Sequence, residues 1–236
     1  FLETINKRKL DFDLEKICSV TLSHLNVYCC LVCGKYFQGR GDTSPAFLHS
    51  VNENHHVFMN VNSLKVYLLP DGSEVDDQNE IQVINSIRYA LRPVFTRNEI
   101  THFPLECRDL TNRSYINGFI GLNNASDNDC TNVIIMMLGH LPSIRDYLLL
   151  LNPENVSEFV RKLSIVIRRL WSVSLFKQHV SVDEFLSFAS ISYKRSFISE
   201  QDPRSFLLWL INSATKTSQK LKDVLIEGCQ GRVEIN

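Results

Sequence analysis

No apolar run in this chain is long enough to cross a bilayer, and the longest candidate, around Asp146 to Leu151, is short and carries a charge. The N-terminal Phe1-Leu2-Glu3-Thr4 shows no basic segment followed by an apolar core, so it does not read as a secretory signal. No tract is low in complexity and no segment repeats. Neither sign of charge dominates: 25 Lys and Arg stand against 26 Asp and Glu, for a formal net charge of −1. That balance gives no broad electrostatic grip on nucleic acid. The basic cluster Lys7-Arg8-Lys9 is short and reads as a solvated terminal segment. Apolar residues, in contrast, make up 44% of the 236, enough to core one large domain or two modest ones.

The seven cysteines are odd in number, and Cys29, Cys30 and Cys33 fall close together. A disulfide framework spreads its cysteines and pairs them, whereas clustering near histidines favours metal in a reducing compartment, cytosol or nucleus. Cys30-Leu31-Val32-Cys33 is a CxxC knuckle, followed at a distance by His49 and His55. Zinc takes four sulfur or nitrogen donors in a tetrahedron, so Cys30, Cys33, His49 and His55 form a candidate closed, structural Zn2+ set. The Gly34 to Gly41 stretch reads as a loop that lets the histidines return to the knuckle. His55 is preferred over the adjacent His56. Cys18 and Cys29 read as buried thiols, although whether either joins the metal stays open, and His24 is expected to pack near the knuckle without binding.

The chain divides in character near residues 93–114. Val57–Val61 and Lys65–Leu69 read as strands, the second ending at Pro70-Asp71-Gly72. An acidic loop (Glu74, Asp76, Asp77, Glu80) precedes Ile81, Ile84, Ile87 and Leu91 at helical spacing, stopped by Pro93. After Tyr115–Gly121, helices are expected over Thr131–Leu141, from a Ser143 cap to Leu151, over Val156–Trp171, from a Ser181 cap over Val182–Ile191, and from Asp202-Pro203 to about Ala214. The expected class is α+β: a small zinc-bound finger domain over 1–95, a linker over 96–114, and a mainly helical domain over 115–236.

Two groups of residues carry a family resemblance. Cys33-Gly34-Lys35-Tyr36-Phe37-Gln38-Gly39-Arg40-Gly41 with His49 and His55-His56 resembles the zinc finger of ubiquitin proteases, which often binds the free ubiquitin tail. Here Lys35 stands where that pocket has an arginine, and lysine cannot make the same bidentate carboxylate contact. His24 stands roughly where a tryptophan is expected. Ubiquitin binding by the finger is therefore not expected. Gly121-Leu122-Asn123-Asn124 through Asn132 resembles the cysteine box of the ubiquitin-specific proteases, and Gln201-Asp202-Pro203-Arg204-Ser205-Phe206-Leu207 resembles a later helix start of that family. The resemblance implies an incomplete portion of a papain-like protease domain in 115–236. It places Asn124 at the oxyanion-stabilising asparagine and Asp129 at the nucleophile, with Ser126 replacing a glycine.

A carboxylate at a helix start is stable but attacks a carbonyl poorly and repels the oxyanion that must form. Cys130, one residue on, should face about 100° away and pack in the core. The downstream histidine box is absent, and His140 and His179 read as parts of helices. The expectation is a non-enzyme, with no catalytic residue. Together with Leu10-Asp11-Phe12-Asp13, Ser50-Val51 and His55-His56-Val57-Phe58, these motifs resemble the ubiquitin-protease-like splicing factors of the spliceosomal tri-snRNP. That resemblance implies a nuclear protein acting in pre-mRNA splicing through tri-snRNP protein partners, with no membrane association and with RNA contact not indicated by charge. A ubiquitin-binding module without cleavage activity is the competing expectation.

Overall fold

A computed structural model describes residues 1–13, 15–75, 82–109, 112–124, 127–194, 196–197 and 202–229. They form two compact units, Phe1–Leu91 and Arg92–Asn236.

In the first unit β1 (Val27–Cys30), β2 (Tyr36–Gln38), β3 (Val57–Asn60), β4 (Val66–Leu68) and β5 (Ser73–Glu74) make one antiparallel sheet in the order β2-β1-β3-β4-β5. The short apolar runs expected as strands are β3 and β4, paired Val57 to Leu68 and Met59 to Val66. Every residue of β1 is buried, as a strand with partners on both edges requires. The stretch read as a Gly-rich loop contains β2. Gly34 and Gly39 have φ of 80° and 73°, so the glycines turn the chain at either end of a strand.

Helix α1 (Pro45–Glu53) also lies outside the sequence expectation. Its signal is the pair Ser44-Pro45: the Ser44 hydroxyl accepts from the Phe47 N–H at 3.4 Å, and Pro45 takes the first helical turn. Asn54 closes it in the left-handed region, at φ 57°. Helix α2 (Gln82–Leu91) buries Ile84, Ile87 and Leu91 as their spacing predicts. Ile81 and the acidic residues Asp76, Asp77 and Glu80 lie outside the described residues.

The second unit corrects the expected linker. Residues 96–114 hold α3 (Arg97–Thr101) and β6 (Glu106–Arg108), which pairs with β7 (Ser114–Ile116). Thr96 and Glu99 form a reciprocal capping box, and Phe95 and Ile100 bury in the core of this unit. One buried residue on a short helix, with Phe95 just before its cap, leaves no period to read, which is why the segment resembles a linker in sequence. The unit boundary accordingly falls between Leu91 and Arg92 instead of after residue 95.

Then come β8 (Gly121–Leu122), α4 (Asp129–His140), α5 (Pro142–Leu150), α6 (Glu158–Leu170), β9 (His179–Val180), α7 (Asp183–Tyr193), α8 (Pro203–Thr217) and α9 (Gln219–Cys229). β8 and β9 pair in parallel, so His179 sits in a strand and not in a helix. Pro142 occupies the first turn of α5, and Leu141, not Ser143, is at its N-cap. Ser157 caps α6, and Asp202 caps α8 by accepting from the Arg204 N–H at 3.0 Å. Ser181 accepts from the Asp183 N–H at 3.1 Å while Val182 holds the N-cap position of α7. Gln201 lies outside the described residues. Helix α9 was not expected; it buries only Leu221 and Leu225. No single helix among the described residues is long and apolar enough to cross a membrane.

Helices α4 to α9 share one apolar core with Phe95 and Ile100. Arg168 crosses it at 4% exposure. Its guanidinium donates to the carbonyls of Leu148, Pro93 and Leu151, the first at 3.1 Å and the second at 3.2 Å. It thus satisfies acceptors at the end of α5 that have no partner within their own helix, and burial lowers its pKa from the ordinary arginine value. Arg168→Met should cost about 3 kcal/mol, because it strands buried carbonyls, and Arg168→Lys should recover only part of this. Urea denaturation of both variants measures it.

Candidate metal centre and the junction before α4

Cys30 ends β1, Cys33 lies in the turn that follows, His49 is in the body of α1, and His55 stands just before β3. The sheet pairs β1 with β3, from Tyr28–Asn60 to Cys30–Phe58, and so carries the knuckle toward the end of α1. One donor atom from each of Cys30, Cys33, His49 and His55 lies within 4.8 Å of the others. His49 Nε2 is 3.4 Å from Cys33 Sγ and 3.0 Å from His55 Nδ1. The His49 ring stacks on Phe37, with centroids 4.2 Å apart, and meets Phe58 edge-on. The aromatic walls fix the ring's orientation, as a structural site needs.

A hydrogen bond from the Cys30 thiol holds Cys33 down to about 4, and the same bond pushes Cys30 up. A bound dication would draw both sulfurs into the thiolate form. Two thiolates and two imidazoles fit structural Zn2+.

The other candidates are engaged elsewhere. His56 Nδ1 lies 2.7 Å from the Leu69 carbonyl, and its Nε2 lies 2.7 Å from Asn54 Oδ1. Burial pushes the Cys29 thiol up to about 12, so it behaves as an apolar side chain. For Cys18, burial alone would raise the pKa. Hydrogen bonds from Thr21 and from backbone N–H groups outweigh it and hold the thiol below its ordinary value. The Cys18 sulfur accepts from the Val20 and Thr21 N–H groups, each at 3.4 Å, and knots its own turn. His24 does not pack against the knuckle: its side chain is 65% exposed and lies 3.7 Å from Glu15. Lys35 is exposed, while its carbonyl accepts from the Cys30 N–H.

In the second unit the approach to α4 is built from asparagines. The Asn123 N–H donates to the Val180 carbonyl at 2.8 Å, continuing the β8–β9 pairing. The Asn123 carbonyl accepts from Asn128 Nδ2 at 3.3 Å and from Asn132 Nδ2 at 3.1 Å. Asn124 Oδ1 accepts from the Asn128 N–H at 2.6 Å, closing the turn. Asn128 is fully buried, and its Oδ1 has no partner among the described residues. Residues 125–126, and with them Ser126, lie outside the described residues.

Asp129 is the first residue of α4 and is exposed, as is Asn124; Cys130 is half-buried. His140 closes the same helix, roughly 16 Å from Asp129 at 1.5 Å per residue. His179 lies exposed in β9 opposite Gly121. The roles of Asn128 and Asn132 in tying the junction escaped sequence reasoning, although the asparagine-rich run from Asn123 to Asn132 was visible.

Residues 18–80 match the model of the Zn-finger in ubiquitin-hydrolases and other proteins. The first unit thus carries a zinc finger of the ubiquitin-hydrolase type, and the whole chain is a relative of ubiquitin-protease-like splicing proteins. It is 47% identical over 235 residues to Pre-mRNA-splicing factor SAD1 of Saccharomyces cerevisiae, covering 100% of this chain and 52% of that protein. It is 46% identical over 218 residues to Probable mRNA-splicing protein ubp10 of Schizosaccharomyces pombe, covering 90% of this chain and 43% of that one. Ubiquitin carboxyl-terminal hydrolase 39 of Homo sapiens is 38% identical over 253 residues, covering 100% of this chain and 44% of the human protein. A solved structure, the crystal structure of an essential yeast splicing factor, matches with a TM-score of 0.90 at 47% identity, over 95% of this chain and 56% of that one. The chain spans about half the length of the relatives it matches.

Cys33→Ala and His49→Ala should each abolish zinc retention and lower the melting temperature of the first unit by roughly 10 °C or more, since each kcal/mol is worth about 4–8 °C in a domain of this size. His56→Ala should keep the metal. Metal analysis after dialysis and differential scanning calorimetry report both quantities. Zinc loss from His56→Ala with retention by His49→Ala would reassign the ligand set.

Proposed function

We propose that the chain is a noncatalytic pre-mRNA splicing factor of the nucleus, supporting assembly or stability of the tri-snRNP through protein–protein contacts. The observation that carries this is the end-to-end similarity to SAD1 and the continuous similarity to ubp10, both named as splicing proteins. The chemistry of Asp129 supports the noncatalytic part. It takes the nucleophile position in the cysteine-box resemblance and opens α4, where partial positive charge at the helix start stabilises its carboxylate. A carboxylate is a weak nucleophile toward a carbonyl, and its negative charge opposes a developing oxyanion. Asn124, at the oxyanion position, uses its amide oxygen to close the turn onto Asn128. This contact holds the junction in shape without requiring turnover.

Cys30, Cys33, His49 and His55 give the finger a structural metal, and the two units act as docking bodies. A ubiquitin-binding role gains no support from the finger: Lys35 replaces the arginine of the tail pocket, and His24 lies in the open against Glu15.

A tagged pull-down from nuclear extract should recover tri-snRNP components equally with the unaltered chain and with Asp129→Ala. A ubiquitin electrophile should leave Cys130 unlabelled. Recovery of ubiquitin conjugates without splicing proteins, or labelling of Cys130, would replace this reading with a ubiquitin-directed one.

A further inference from the structure

The basic cluster Lys7-Arg8-Lys9, read from sequence as a solvated arm, is a fixed part of the first unit. It forms a one-turn 3-10 helix in which the Arg8 N–H donates to Asn6 Oδ1 at 3.2 Å and the Lys9 N–H donates to the Asn6 carbonyl at 3.1 Å. The turn is fastened to the metal knuckle at two points. The Asn6 N–H donates to the Leu31 carbonyl at 2.9 Å. The Lys9 carbonyl lies so close to Gly34 that a Cβ there would stand 2.0 Å from its oxygen. Leu10, at 3% exposure, pins the end of the turn into the unit.

The next knuckle residue is Lys35. It is exposed, as are Arg8 and Lys9, and Lys7 is half-buried. Lys7, Arg8 and Lys9 are consecutive, within a Debye length of about 8–10 Å of one another, and Lys35 follows Gly34, whose backbone lies against the Lys9 carbonyl. None of the four makes a salt bridge with a described residue. Of the nearby carboxylates, Asp11 Oδ1 accepts from the Asp13 N–H, and Glu15 faces His24. This corner of the unit offers charge complementary to a polyanion.

We infer that Lys7, Arg8, Lys9 and Lys35 form a contact site for the phosphate backbone of single-stranded RNA. Lysine heads act as mobile point charges, which suit phosphates without demanding a fixed geometry. With no base-reading group assigned to the corner, the contact positions RNA and does not select sequence. RNA is favoured over an acidic peptide because two proteins to which the chain is similar are named for pre-mRNA and mRNA splicing. A local contact of this size also agrees with a net charge of −1 for the whole chain. The choice of RNA rests on the same similarity as the splicing reading, but the two fail separately: RNA binding without recovery of splicing proteins would remove the tri-snRNP reading and leave this one.

The test is fluorescence anisotropy of the zinc-loaded whole chain with a labelled, mixed-sequence single-stranded RNA of about 20 nucleotides, titrated between about 50 and 200 mM KCl. The expected slope of log K against log salt is about −2 to −3, because each neutralised phosphate of a single strand contributes about −0.7. The combined variant Lys7→Gln, Arg8→Gln, Lys9→Gln should bind roughly 10-fold more weakly and lower the slope's magnitude by about 2, with zinc content and melting unchanged. Lys35→Gln alone, outside the turn, should lower it by about 0.7 even if the triple variant fails to fold. Absence of RNA binding, or an unchanged slope in both variants, overturns the proposal. Tighter binding of polyglutamate than of RNA at equal charge also overturns it, in favour of an acidic protein partner.

Discussion

The first unit depends on bringing four donor atoms from two separate segments within 4.8 Å of one another. The apolar cluster on the face of the site, Tyr28, Phe37, Phe58, Tyr67 and Leu69, is one part of a core that also buries Val27, Met59, Ile84 and Ile87, and Phe37 from it holds the His49 ring. Burial shapes the sheet, and a bound dication would tie the two ligand-bearing segments to one another. The local structure reads as a consequence. Gly34 turns the chain out of the knuckle, Ser44 and Pro45 start α1, and Asn54 stops it so that His55 returns to the site while His56 points to the Leu69 carbonyl.

The second unit follows a different logic, in which buried polar groups are matched one by one. Arg168 collects three carbonyls inside an apolar core, and the Asn123–Asn132 cluster knits β8 to α4. Trp171 donates to the Gly139 carbonyl at 2.8 Å, and its ring lies where a side chain at Gly118 would have to be. These contacts do not involve Asp129. The Asp129 side chain can therefore change while these contacts, and the surfaces they hold, are kept.

Much of this was legible in the sequence, for definable reasons. The metal set was visible because ligand chemistry restricts residue type and CxxC fixes a spacing. Helices α2 and α6 were visible because Ile84–Leu91 and Phe159–Leu170 repeat at helical period. Helix α1 was not, because His49, Ser50 and Asn52 interrupt any apolar stripe and its only advertisement is a two-residue cap. Strand β2 was hidden by the glycines beside it, and α3 by its single buried residue, Ile100. His179 was misplaced into a helix because a two-residue parallel strand has no period of its own, only a distant partner in Gly121. Parallel pairing across such a separation is a tertiary fact.

Strand β1 ends in two adjacent thiols, Cys29 and Cys30, that differ only in the face of the sheet they occupy. Successive strand residues alternate sides, so a slip of one position would offer the metal Cys29 in place of Cys30. The CxxC spacing to Cys33 selects Cys30, and the strand register holds that selection in place. Tyr28 shares the face of Cys30 and packs edge-on to Tyr67 with centroids 6.0 Å apart, a contact the slip would break. A phenol two residues away thus helps keep the ligand in register.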